Sequence, residues 1–165
     1  MLGITAISKR TDYVKLQVEH VFQVSRDVLW QVLHDQTRMA DWIPGCEKLE
    51  EIEPDRFAAT MKIGVGAIKG TYKGTVQIAE KQEPSQYTLA VEGSAAPGFV
   101  RGKALMKLHV EDNNVTLLVI DADAQVGGLI ASVGQRFVSG IAKQLTRELL
   151  ANIEQSLRSK PEATA

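Results

Sequence analysis

The strongest pattern in the chain lies near its end. Leu129, Val133, Phe137, Ile141, Leu145, Leu149, Ile153 and Leu157 recur at every fourth position, with Gln135, Arg136, Lys143, Gln144, Arg147, Asn152, Glu154 and Gln155 between them. Apolar residues at this spacing give an amphipathic helix with one buried face, expected from Gly127 to Arg158. At about 1.5 Å per residue, roughly 30 residues make a rod of about 45 Å, long enough to cross a small domain. A row of fourth neighbours is inclined by about 26° to the helix axis, so the two ends of the rod meet different surroundings. Everything upstream reads as strands and short helices, so the surface that receives the rod is a sheet.

Gly127, Gly128, Gly134 and Gly140 fall in the first half of this stretch, and an interior glycine costs a helix about 0.8–1 kcal/mol relative to alanine. Two readings follow. Gly127 and Gly128 form the turn into the helix while Gly134 and Gly140 permit close packing on the sheet, or the missing side chains leave room for a ligand beneath the helix.

The chain of 165 residues fits one domain, with 44% apolar and 24% charged residues, the proportions of an ordinary globular protein. A net charge of −1 argues against an electrostatic nucleic-acid binder. Met1–Ser8 lacks the basic region and apolar core of a secretory signal. No apolar run reaches the roughly 18 residues of a membrane span. Cys46 is the single cysteine, so no internal disulfide forms, consistent with a cytoplasmic setting.

Residues 13–24 alternate: Val14, Leu16, Val18, Phe22 and Val24 point one way and Lys15, Gln17, Glu19 and Gln23 the other, as in a half-buried strand. His20 shares the apolar side, either as a polar contact in a cavity or as a hydrogen-bonded interior histidine. Ser25 is an N-cap for a short helix bearing Val28, Leu29, Trp30, Val32 and Leu33. A second short helix, about Thr37 to Trp42, stops before Pro44-Gly45. Trp30 is expected in the core and Trp42 at the surface or at a cavity mouth. From Cys46 onward the chain reads as six antiparallel strands joined by turns at Pro54-Asp55, Gly64–Gly70, Glu83–Ser85, Gly93–Gly98 and Asp112–Asn114, the last strand covering Val115–Ala124. Strands segregated from helices imply an α+β domain. The expected architecture is the helix grip: a curved antiparallel sheet of about seven strands around a long C-terminal helix, with two short helices after the first strand. Residues 1–12 are expected to be an N-terminal extension, 13–158 the domain, and 159–165 a frayed tail.

Signatures of catalysis are sparse. The Gly64–Gly70 loop lacks the G-x-G-x-x-G spacing and joins two strands, so it reads as a hairpin rather than a phosphate cradle. His20, His34 and His109 are widely separated and no metal-ligand spacing occurs, so neither a metal nor a cofactor is expected. Asp121 and Asp123 share a strand face, but Leu118, Ile120, Ala122 and Ala124 form the apolar side, which turns the carboxylates outward.

Phe22-Gln-Val-Ser-Arg-Asp-Val-Leu-Trp30 resembles the strand-to-helix junction of the START-like, polyketide-cyclase-like (SRPBCC) superfamily. Within it, the chain is most similar to the carbon monoxide dehydrogenase G-subunit family, on four segments. These are Ile43-Pro-Gly-Cys-Glu47, the Lys62–Gly70 hairpin, Tyr72-Lys-Gly-Thr-Val76, and Val126-Gly-Gly-Leu-Ile-Ala-Ser-Val-Gly-Gln-Arg-Phe137. The resemblance spans about residues 13–158 and implies a helix-grip fold with a cavity between sheet and helix. It also implies an accessory role toward a molybdenum-containing hydroxylase of the carbon monoxide dehydrogenase type, in maturation, membrane recruitment or carriage of a quinone-like or lipid molecule. Some members carry an apolar anchoring tail after the helix; this sequence shows none, so any membrane contact is expected to be peripheral, at the inner face, or mediated by a partner. No catalytic residue is implied.

The resulting expectation is a noncatalytic binder of a hydrophobic small molecule. Candidate lining residues are Phe57, Met61, Tyr72, Met106, Val133, Phe137 and Ile141, with Trp42 and Phe99 at the mouth and His20 as the polar group. The alternative is a cyclase, dehydratase or hydrolase using the same cavity, for which His20 is the main titratable candidate.

Overall fold

Alternating and helical patterns resolve into twelve elements in a computed structural model, which describes residues 11–158 apart from Val65 and Pro97. Strand β1 (Thr11–Phe22) leads into helices α1 (Arg26–His34) and α2 (Gln36–Trp42). Strands β2 (Cys46–Glu53) and β3 (Arg56–Ile63) follow, then a 3₁₀ turn (Gly66–Ile68) and β4 (Gly70–Gln82). Next come β5 (Gln86–Ala95), β6 (Gly98–Asp112), β7 (Val115–Gly128), the single-turn helix α3 (Leu129–Ser132) and the long helix α4 (Gln135–Arg158). Residues 1–10, most of the expected extension, and the expected tail 159–165 lie outside the described residues.

The strands form one antiparallel sheet in the order β1-β7-β6-β5-β4-β3-β2. Each strand pairs with its sequence neighbour except β1, which joins the far edge through β7. Alternation then assigns the faces: Val14, Phe22, Leu118, Ile120, Met106 and Tyr87 are buried on the inner side, while Asp121, Asp123, Arg101 and Lys103 stand exposed on the outer. Helix α1 is capped by Ser25 as expected, and α2 by Asp35, which sequence reasoning does not single out. Ser25 Oγ accepts from Val28 N at 3.3 Å, and Asp35 Oδ1 accepts from Thr37 N at 3.0 Å. The Pro44-Gly45 turn is locked onto β3: Lys62 N donates to Gly45 O at 2.8 Å. Gly45 has φ +74°, and a methyl group there would meet Lys62 O at 2.5 Å, so this position of the Ile43–Glu47 segment requires glycine for packing and conformation alike.

The long helix departs from the single rod expected over 127–158. β7 continues to Gly128, because Gly127 and Gly128 pair with Phe99 and Gly98 at the start of β6; two residues of poor helix propensity are taken into the sheet. After α3 the chain breaks at Gly134, whose φ of +103° no helix accommodates, and the i→i+4 ladder restarts with Val138 N donating to Gly134 O at 3.1 Å. Ile141 and Ile153 keep the expected stripe, and Val138 and Leu150, one position off it, join them. Val138, Ile141, Leu150 and Ile153 turn inward, whereas Leu129 and Phe137 from the expected stripe remain 62% and 42% exposed.

Buried side chains fall into two clusters. One holds Phe22, Trp30, Trp42, Phe57, Tyr87 and Met106 with Leu150 and Ile153 of α4, so the two short helices and the C-terminal half of α4 share it. The other gathers Val14, Ile68, Tyr72, Val126 and Ile130 around Val138 and Ile141, at the N-terminal half of α4.

Candidate functional site

Helix α4 is held by its flanks. On the β1 side, Gln135 Nε2 donates to Tyr13 O, and His20 Nε2 lies 2.9 Å from Glu154 Oε2. On the α2 side, Asn152 Nδ2 donates to Trp42 O at 3.3 Å, and Arg38 Nη2 donates to Ser156 O and Oγ. Among the described residues the α4 backbone runs close to β1, α2 and α3 but makes no comparable approach to β2–β7. The much shorter α1 does approach β6 and β7. The helix is thus tied down along two flanks, and its apolar side chains reach the sheet at both ends: Leu150 and Ile153 share the first cluster with Met106, Leu118 and Ile120, and Val138 and Ile141 share the second with Val14 and Val126.

In the middle of the sheet the inner face carries small residues. Two cross-strand rows, Leu16–Ala122–Ala104–Leu89–Ile78 and Val14–Ala124–Gly102–Val91–Val76–Phe57, cross this face; Phe57 and Ile78 belong to the first cluster, with Val76, Leu89, Ala104 and Ala122 packed against it, and Val14 belongs to the second. Where β6 and β7 cross this region they present only Ala122, Ala104, Ala124 and Gly102. Leu16, Leu89 and Val91 face inward yet are half-buried, as are Leu145 and Leu149 of α4. Leu89 and Leu149 pack against the first cluster and Leu145 against the second, while Leu16 and Val91 join neither.

The expected lining residues divide between the clusters. Phe57 and Met106 are buried in the first; Tyr72 and Ile141 are buried in the second, with Met61 and Val133 half-buried against it. Trp42 is buried in the first cluster, 6% exposed, and its Nε1 has no hydrogen-bond partner. Phe99 sits on the outer face: its ring covers Gly127, where a methyl group would approach to 2.2 Å, and Arg101 lies 5.9 Å from the ring centre. Phe137 extends over the 3₁₀ turn, 3.7 Å from where a Gly66 methyl would stand. His20 joins neither cluster; its ring leans on Phe22 at 4.6 Å while Glu154 engages it.

Leu16, Leu89 and Val91 also face inward; sequence reasoning does not single them out, although their alternation with Val14 and Tyr87 is legible. The helical pattern assigns Glu154 to the solvent side, and nothing local signals its pairing with a strand residue 134 positions away.

Several interior polar groups are satisfied by the main chain. Tyr72 Oη donates to Ile68 O at 2.6 Å, and Thr116 Oγ1, fully buried, donates to Val24 O at 2.8 Å. Burial pushes the Tyr72 and Tyr87 phenols up, Tyr87 well above the usual range, so both stay neutral. Burial also pushes the Cys46 thiol up, opposed by its hydrogen bond to Lys48 O at 3.5 Å, which disfavours a reactive thiolate. Among the described residues no group of His, Cys, Asp and Glu is arranged to hold a metal, and no helix is long and apolar enough to cross a membrane.

No curated protein matches the chain. Among solved structures, a conserved protein from Geobacillus kaustophilus is 28% identical with a TM-score of 0.86, covering 89% of this chain and 97% of its own. A START superfamily protein from Mycobacterium smegmatis, 12% identical with a TM-score of 0.70, covers 87% and 97%. The Zhui aromatase/cyclase of a Streptomyces species, 15% identical with a TM-score of 0.67, covers 90% and 96%. These likenesses establish the START and polyketide-cyclase-like helix-grip fold. The family model for the carbon monoxide dehydrogenase G subunit (CoxG) matches residues 19–158, β1 through the last turn of α4, and the chain belongs to that family.

Proposed function

We propose that the protein is a noncatalytic carrier of a hydrophobic small molecule, lipid or quinone-like, held between α4 and the inner face of the sheet. The observation that carries this reading is a 24-residue helix fixed at its flanks across a sheet whose inner face bears a band of alanines, glycine and half-buried aliphatic side chains. A guest there would leave water at a gain of about 25 cal/mol per Å² of apolar surface covered. Family membership supports an accessory role toward a carbon monoxide dehydrogenase-type molybdenum hydroxylase, in maturation, electron transfer or recruitment to the inner face of a membrane from the cytoplasm. Native mass spectrometry of the purified chain, followed by organic extraction, tests it. A co-purifying apolar molecule is expected; a protein that is empty and takes up no naphthoquinone or fatty acyl probe would overturn the reading.

A second reading, an enzyme of the cyclase, dehydratase or hydrolase type, is favoured by one observation, the histidine held by a carboxylate at 2.9 Å. His20→Phe separates the two: the carrier keeps most of its affinity for an apolar probe, whereas an enzyme loses turnover.

A further inference from the structure

The outer face of the sheet, opposite α4, has a concave feature of its own. A trough of about 420 Å³ crosses six strands, from Tyr13 on β1 to Arg56 on β3. One wall is the cross-strand row Arg56–Gln77–Ala90–Lys103–Asp123–Lys15; the other is Thr75–Glu92–Arg101–Gln125–Tyr13. Within the first row Ala90 interrupts the longer side chains.

Its charges are unevenly satisfied. Arg101 stands 3.8 Å from Glu92 and leans on Phe99, so these two charges offset each other. Asp123 lies in register between Lys15 and Lys103. Arg56 Nη1 donates to Gln77 Oε1 at 3.3 Å. Among the described residues neither Lys103 nor Arg56 has a carboxylate within ion-pairing distance. The trough thus carries excess positive charge in a chain whose net charge is −1.

We propose that this trough is a docking site for an extended, acidic segment of a partner protein laid across the strands, two of its carboxylates meeting Lys103 and Arg56. Those residues share one row and are separated by three strand spacings of about 4.8 Å, or roughly 14 Å. An extended chain advances about 3.3 Å per residue and returns to the same side at every second position, so side chains four apart project together roughly 13 Å from one another. Thr75, on β4 between Lys103 and Arg56, supplies a hydroxyl for the intervening peptide groups. Glu92 and Asp123 interrupt the cations, which disfavours the continuous phosphate backbone of a nucleic acid. The side chains that would hold the segment lie on the opposite face from the proposed ligand site, although Val91, Gly102 and Ala124 also border the trough.

The test titrates the isotope-labelled full chain with a blocked heptapeptide, Gly-Glu-Ser-Gly-Ser-Glu-Gly, at low salt and follows the backbone amides by NMR. Shifts are expected at Gln77, Ala90, Lys103 and Gln125 and not in α4. Lys103→Glu, an exposed change that leaves the fold intact, is expected to weaken binding by roughly tenfold, as is glutamine at both glutamate positions of the peptide. The proposal is overturned by absent binding at millimolar peptide, by shifts scattered over the surface, or by affinity indifferent to either change.

Discussion

His20 Nε2 and Glu154 Oε2 lie 2.9 Å apart, joining the edge strand β1 to the C-terminal half of α4. With Gln135 donating to Tyr13 O near the other end of the helix, this pair closes one seam of the domain. Asn152 and Arg38 close the other against α2. Side-chain bonds at the flanks thus hold a helix whose middle spans small residues.

Because both partners are about one-third exposed, at 33% and 30%, solvent screens the pair. A double-mutant cycle of His20→Phe and Glu154→Gln should give a coupling of about 0.5–1 kcal/mol in urea unfolding. A coupling indistinguishable from zero would show that neighbouring packing, not the pair, holds the seam.

His34 is stacked on Trp30 at 4.1 Å and set edge-on to Tyr87 at 4.4 Å. Burial lowers its pKa from 6.5; Lys81 acts in the same direction, against the Trp30 carbonyl bond, Asp55 and Glu83. Below pH 6.5 the unfolded chain takes up a proton that the folded chain refuses, so stability falls as pH drops from there toward the lowered folded value. Denaturant titrations across pH 5–7 should show this slope in the wild type and a flatter one in His34→Phe, which keeps the ring stack. Equal slopes would assign the pH dependence to other groups.

The two glycines of the terminal region should respond oppositely to alanine. Gly134 breaks the helix at φ +103°, and Gly134→Ala is expected to destabilise by about 1–3 kcal/mol. Gly140 lies exposed in α4, with nothing within 4 Å of an added methyl; Gly140→Ala should stabilise by about 0.5–1 kcal/mol. Thermal melts compare them directly, and a loss at Gly140 would reveal a close approach absent from this structure.

Ala104 and Ala122 offer a test of how the space beneath α4 is filled. If it admits a guest, Ala104→Leu should change the melting temperature little while excluding an apolar probe. If side chains already fill it, the same change should cost about 1–3 kcal/mol from overpacking. The melting curve decides between them before any ligand is identified.

The local elements were legible in the chain itself. Alternation from Val14 to Val24 showed which face of β1 is buried, Ser25 marked the start of α1, and the outward turn of Asp121 and Asp123 followed from the apolar residues between them. These are short-range consequences of backbone geometry, with periods of two and about 3.6 residues. Only the tertiary structure decided where the last strand ends and the long helix begins. Pairing of Gly127 and Gly128 with the start of β6 outweighs a helical pattern that local periodicity extends through them. It also decided that Val138 rather than Phe137 turns inward, that Glu154 meets His20, and that Phe99 lies outside the sheet. Each of these depends on segments distant in sequence meeting in space, and no local spacing encodes how closely a helix approaches the sheet it crosses.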